Sequence, residues 1–155
     1  MAHFAELKSM TDPTGFTSDT HQVVQRVVVV GNDIAAGGGT LEENDMHVDG
    51  ETWCANFFKG GSWKQTSYNH NFRKQYCGKG FTFDAAKNKF ISPQPFASWA
   101  LDGNDDWQAP VTYPTDTTDK RINWDEAGQK WTATDNSDPV NNFNWDASAL
   151  AWVSA

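Results

Sequence analysis

Four histidines, two cysteines and twenty carboxylates are the groups with which this 155-residue chain could do chemistry. Their spacing limits what that chemistry is. His3, His21, His47 and His70 are scattered, with no pair at the helical spacing a zinc site uses. Asn69-His70-Asn71 has the form of a nuclease tripeptide, but such a site needs a second histidine and a metal-binding context, and neither is evident. Asp102, Asn104 and Asp106 alternate as the ligands of a calcium loop do. An EF-hand would then require Gly at its sixth position and Glu at its twelfth, where Trp107 and Tyr113 stand. Cys54 and Cys77 are too few for a disulfide framework and lack metal-site spacing, so ordinary buried thiols are expected. No nucleophile elbow or catalytic triad is recognisable. A hydrolase would need two acids converging in one cleft, and nearly all the acids occupy turn positions. The expectation is a protein without catalytic residues, cofactor or metal.

The elements that position these groups follow from a pattern that recurs four times. It consists of an apolar residue, a spacer, a second apolar residue, an Asp, then an aromatic five or six residues later. The copies are FTFDAAKNKF (81–90), WALDGNDDW (99–107), INWDEAGQKW (122–131) and FNWDASALAW (143–152), with starts 18, 23 and 21 residues apart. A spacing near twenty suits one hairpin plus a connector in an arrayed architecture. In the third copy, Ile122 and Trp124 share a strand face, Asp125 starts a turn through its carboxylate, and Gly128 takes the positive φ of the reversal. Trp131 then returns as a cross-strand partner of Trp124 or Ile122. Six of the eight tryptophans lie in the last three copies: Trp99, Trp107, Trp124, Trp131, Trp145 and Trp152. Their rings either cover their own hairpins, which need such cover, or form a ligand platform.

Upstream, HFAEL reads as a strand and QVVQRVVVV (22–30) as the strongest strand, one that must be paired on both sides or covered. Residues 9–21 read as a loop. Gly37 to Gly39 make a flexible break that resembles no phosphate-binding loop. The one helix is predicted from about Asp49, its cap, to Lys59, with Gly60 ending it. Trp53, Cys54, Phe57 and Phe58 would plug the sheet. A strand over 60–69 puts Trp63, Gln65 and Ser67 on one face, and HNFRKQYCGKG is irregular. Pro-bearing connectors join the hairpins. The fold class is therefore mainly β with one short helix: an N-terminal unit over 1–92, then a Trp-rich hairpin tail over 93–155.

Charge separates these parts. Residues 1–98 hold ten acids and nine bases, net −1, whereas 99–155 hold ten acids and three bases, net −7. Residues 33–51 carry six acids (Asp33, Glu42, Glu43, Asp45, Asp49, Glu51) and no Lys or Arg; 59–89 carry seven bases and one acid. A net −8 chain repels nucleic acid, and no stretch is apolar enough for a membrane span. The basic segment reads as a protein-docking face, with Lys59, Lys64, Arg73, Lys74 and Lys79 as its cations. The start of the chain has no basic segment followed by an apolar run, so synthesis in a cytoplasm is expected.

The opening MAHFAEL, the Val-rich strand before Gly31-Asn32-Asp33, and GGSWKQTSYN followed by Arg73-Lys74 resemble short proteins encoded by marine cyanobacterial phages. The resemblance continues through CGKGFTFDAAKNKFISPQPFASWALD, the W-x-A-P at Trp107 to Pro110, and Trp124-Asp125-Glu126. It implies a virion component and brings no catalytic residues with it. This chain differs in its longer 9–21 loop and its extra C-terminal hairpin. The function expected is a non-enzymatic virion accessory protein on the capsid surface, made in the host cytoplasm. It would grip other virion proteins through residues 59–89, with self-association as a further contact, and point its acidic hairpins outward. The rival is a tail- or fibre-associated module binding a host-surface glycan, although the Gly-Trp starts and Tyr-Tyr pairs of cell-wall-binding repeats are missing.

Overall fold

The computed structural model describes residues 1–36, 39–40 and 48–155, with the backbone alone for 35, 36, 39, 40, 48 and 49. The chain is mainly β with one short helix, and it divides into two compact units, Met1–Pro93 and Gln94–Ala155. Gly37, Gly38, the acids Glu42, Glu43 and Asp45, His47 and the side chain of the expected cap Asp49 lie outside the described residues.

The first unit contains β1 (Ala2–Thr11), β2 (Thr20–Val30), β3 (Ala35–Ala36), β4 (Gly39–Thr40), α1 (Val48–Phe57), β5 (Ser62–Thr66), β6 (Thr82–Asp84) and β7 (Lys89–Ile91). Five of these strands form an antiparallel sheet in the order β5-β1-β2-β6-β7, and β3 and β4 pair separately. Strand β1 runs to Thr11, so the loop expected over 9–21 shrinks to 12–19. Asp12 is the reason: its carboxylate accepts the N–H groups of Thr14, Phe16 and Thr17 (2.9, 3.1 and 2.9 Å) and folds the polar segment into a tight connection. A register shift at Gln25 lets Val24 pair with Leu7 while Val27 pairs with Ala5. Val24 and Val27, three apart, thereby reach the same sheet face, which an unbroken strand forbids.

Each face of that sheet has its own core. Ala2, Phe4, Val30 and Trp63 pack with Cys54 of the helix on one side, joined by Trp53 and Phe58. Ala5, Leu7, Val24, Phe83 and Phe90 pack with Cys77 on the other. Phe57 is the exception to the expected plug: it is 63% exposed and stacks on Trp53. The helix ends at Phe57, two residues before the expected Lys59. Lys59 takes the left-handed conformation (φ 58°), and Gly60 N–H bonds the Ala55 carbonyl at 2.7 Å in a Schellman-type turn.

The second unit contains β8 (Ala100–Leu101), β9 (Trp107–Gln108), β10 (Arg121–Asp125), β11 (Lys130–Thr134), β12 (Asn142–Asp146) and β13 (Ala151–Ser154). The last four form an antiparallel meander, and β8–β9 a short separate hairpin. All four sequence copies are hairpins. In each, the residue before the Asp faces the returning aromatic: Phe83 with Phe90, Leu101 with Trp107, Trp124 with Trp131, and Trp145 with Trp152. Three of these pairs are ring on ring at 5.0–5.1 Å, a distance that suits tilted aromatic contacts. Asp84, Asp125 and Asp146 each accept a backbone N–H three residues on, at 3.0, 3.2 and 3.0 Å.

The left-handed residue of these turns is not the expected Gly128. It is the fourth after the Asp: Asn88 (φ 52°), Gln129 (φ 45°) and Leu150 (φ 50°). A Cβ at Gly128 would lie 2.5 Å from Asp125 Oδ2, so that carboxylate would have to shift; Lys87 and Ala149 occupy the same place in the other two turns.

Candidate binding surfaces

The cations of the basic segment differ in burial. Arg73 is buried, and its Nη1 donates to Glu51 Oε1 at 2.7 Å and to the Gln65 carbonyl at 2.8 Å, while Nε reaches Asn88 Oδ1 at 3.0 Å. Glu51 also accepts Gln65 N–H at 3.0 Å and Lys64 Nζ at 3.1 Å. Strand β5 is an edge of its sheet, and both backbone groups of Gln65 are thus satisfied by side chains where a further strand would stand. Sequence spacing gave no sign of this pairing, because Glu51 and Arg73 are 22 residues apart. Arg73 and Lys64 are thus parts of an edge clamp on Glu51, the Arg73 side chain buried and that of Lys64 34% exposed. Lys74 is half-buried, whereas Lys59 and Lys79 are exposed.

The groups singled out for chemistry have structural partners as well. His70 Nδ1 accepts Tyr76 N–H at 3.1 Å, and Asn71 N–H donates to Ser67 Oγ at 2.8 Å. Asp102 Oδ1 accepts the N–H groups of Asn104 and Asp106 at 2.8 and 3.0 Å, closing its own turn. Among the described residues, no three His, Cys, Asp or Glu side chains gather as a metal site would need. Cys54 and Cys77 are free and buried. Burial, with the Glu51 charge, pushes the Cys54 thiol up to about 12, and burial raises Cys77 to about 11 despite the Thr66 hydroxyl. Both are inert as nucleophiles at neutral pH.

The tryptophans divide into two groups. Trp124, Trp131 and Trp145 are the buried centre of the second unit, with Phe96, Trp99, Ile122 and Trp152 packed around them. Trp107 lies outside that cluster, although its sequence position matches Trp131. Its hairpin has two-residue strands and forms a sheet of its own, in which Trp107 stands opposite Leu101. Glu126 fastens the segment before the second hairpin to the third. It accepts Ser98 Oγ at 2.6 Å, Ser98 N–H at 2.8 Å and Trp124 Nε1 at 2.7 Å. The Ser98 and Trp124 donors hold its carboxyl below the ordinary range. Trp124-Asp125-Glu126 thus supplies a core ring, a turn acceptor and a staple in three consecutive residues.

The connector read from sequence as a mere link is fixed over this core. Trp131 Nε1 donates to the Val111 carbonyl and Trp152 Nε1 to the Asp116 carbonyl, both at 2.8 Å. Between connector and hairpins lies an open cleft of about 410 Å³, with Trp99, Tyr113 and Trp131 as its rings and Gln108 and Thr112 as its polar side chains. Trp99 and Tyr113 meet Trp131 edge to face, at 5.9 and 5.0 Å. Trp99 Nε1 is buried with no hydrogen-bond acceptor among the described residues, and its ring stands edge-on to both Trp124 and Trp131. Sequence reasoning missed Gln108, Thr112 and Tyr113; the W-x-A-P motif was the signal beside them.

Compared with protein-family models, curated proteins and solved structures, the chain matches none.

Proposed function

We propose that this chain is a non-enzymatic accessory component of a phage virion, held on the particle surface by its N-terminal unit. One observation carries the reading: the acids of the four hairpin turns, together with Glu51 and Glu126, are occupied with the fold. Asp84, Asp102, Asp125 and Asp146 each hold the backbone of their own turn, and Glu51 and Glu126 are engaged by Arg73 and by Ser98 and Trp124. What such a chain offers another molecule is surface. The sequence resemblance to short phage-encoded proteins supports a particle as the place where that surface is used. Lys59 and Lys79, exposed members of the basic segment in a protein of net charge −8, are the cations proposed to meet an acidic shell. Many copies on one particle would make weak single contacts effective.

The test is mass spectrometry of gradient-purified particles, followed by co-sedimentation of the full chain with particles lacking it. The full chain should sediment with them, less at high salt and less again as Lys59→Glu/Lys79→Glu. A chain missing from purified virions refutes the reading. Undiminished binding by the charge variant refutes the docking face.

A further inference from the structure

We propose that the cleft between Trp99, Tyr113 and Trp131 binds a neutral saccharide, a role independent of where the protein is mounted. The three rings present apolar faces and edges at steep mutual angles, 69° for Trp99 on Trp131 and 77° for Tyr113 on Trp131. A pyranose ring has the matching character, with C–H faces that aromatic rings desolvate and hydroxyl edges that need polar partners. Gln108 and Thr112 supply those partners. The Gln108 amide is already oriented, since its Nε2 donates to Asp102 Oδ2 at 3.1 Å, which leaves the amide oxygen to accept a sugar hydroxyl. The connector wall is likewise held before any ligand arrives, by Trp131 Nε1 on the Val111 carbonyl. Such preorganisation lowers the ordering cost of binding.

Charge selects the ligand class. No lining residue is ionised among the described residues, so an acidic sugar or a phosphate would enter without a counter-charge. The surrounding unit, net −7, repels anions further. The cleft volume of about 410 Å³ falls in the range of about 300–1,000 Å³ typical of small-ligand sites.

The experiment titrates the full chain with the methyl glycosides of glucose, galactose and mannose, with maltotriose, and with N-acetylneuraminic acid as the anionic probe. Readouts are tryptophan fluorescence and the NMR shifts of the Trp99 and Trp131 indole N–H groups. At least one neutral sugar should give a saturable change with a Kd on the order of millimolar. Gln108→Ala and Tyr113→Ala, both at exposed positions, should each weaken it about tenfold, a step of about 1.4 kcal/mol. Phe57→Ala, an exposed ring in the other unit, should leave it unchanged. The inference is overturned by no saturable change with any neutral probe at tens of millimolar, by retained affinity in both cleft variants, or by tighter binding of the anionic sugar. None of those outcomes touches particle association, which is measured separately.

Discussion

Replacing Arg73 with Met should destabilise the N-terminal unit far more than the loss of a surface cation would. The Arg73 side chain is 6% exposed and that of Glu51 9%, and they meet at 2.7 Å. Removing the cation strands that carboxylate, with only Lys64 and one backbone N–H to hold it, and leaves the Gln65 carbonyl without its Arg73 donor. Breaking one side of a buried ion pair typically costs about 3–5 kcal/mol. With a urea dependence of about 1–3 kcal/mol per molar, the unfolding midpoint should fall by roughly 1–5 M. Two units complicate an optical assay, because six of the eight tryptophans belong to the second. The thiols solve this: Cys54 and Cys77 are both buried in the first unit, so their reaction with a disulfide reagent across a urea series reports that unit alone. Adding Glu51→Gln removes the stranded charge and should recover part of the loss. A cost below about 1 kcal/mol for Arg73→Met, the value of an exposed pair, would refute the edge clamp. If such a variant were also defective in particle binding, the sequence-based assignment of Arg73 to docking would be supported.

Trp124→Ala should cost the second unit about 3–5 kcal/mol, enough to unfold a 62-residue unit whose core is a few indoles, whereas Trp107→Ala should cost much less; near-UV circular dichroism compares them. Leu150→Asn should stabilise the last hairpin by about 0.5–1 kcal/mol, because Asn tolerates the left-handed backbone that Leu150 adopts at φ 50°; a thermal melt that fails to rise contradicts the strain. Acid should weaken both units. Desolvation opposes ionisation of Asp12, yet bonds from Thr14 and Thr17 bring it to about 2, and Asn141 brings Asp135 to about 2, both from 3.8. Since the folded values lie below the unfolded ones, this stability is complete above pH 3.8 and fades as pH falls through about 2. Glu126, lowered by Ser98 and Trp124 from 4.5, adds a loss that begins nearer that value. The melting temperature should drop over this window, less steeply in Asp12→Asn and Asp135→Asn, and a flat profile would exclude the linkage.

The hairpins were legible because their determinants are local. An Asp that accepts N–H groups three residues on, with apolar residues alternating on either side, defines a reversal whatever surrounds it, and all four copies formed one. The short helix was local in the same sense. The turn conformation was less so: Gly128 invited a positive φ, but the left-handed residue is the next one, Gln129. The division between Trp107 and Trp131, identical in the pattern, depends on whether a hairpin joins the four-stranded sheet.

Everything that needed distant residues stayed hidden. The run of bases over 59–89 looked like one cationic face, but a residue's charge says nothing about which side of the sheet edge its side chain reaches. Folding turned Arg73 inward to Glu51 and left Lys59 and Lys79 outside. The cleft, too, is assembled from a connector and two hairpins, and no spacing along the chain relates Gln108, Tyr113 and Trp131. Sequence alone determined the repeating β-ribbon and its aromatic composition, because those follow from neighbours within ten residues. Tertiary structure decided which rings are core, which cations are sealed and where a ligand could enter, because burial is a property of the surroundings and not of the residue.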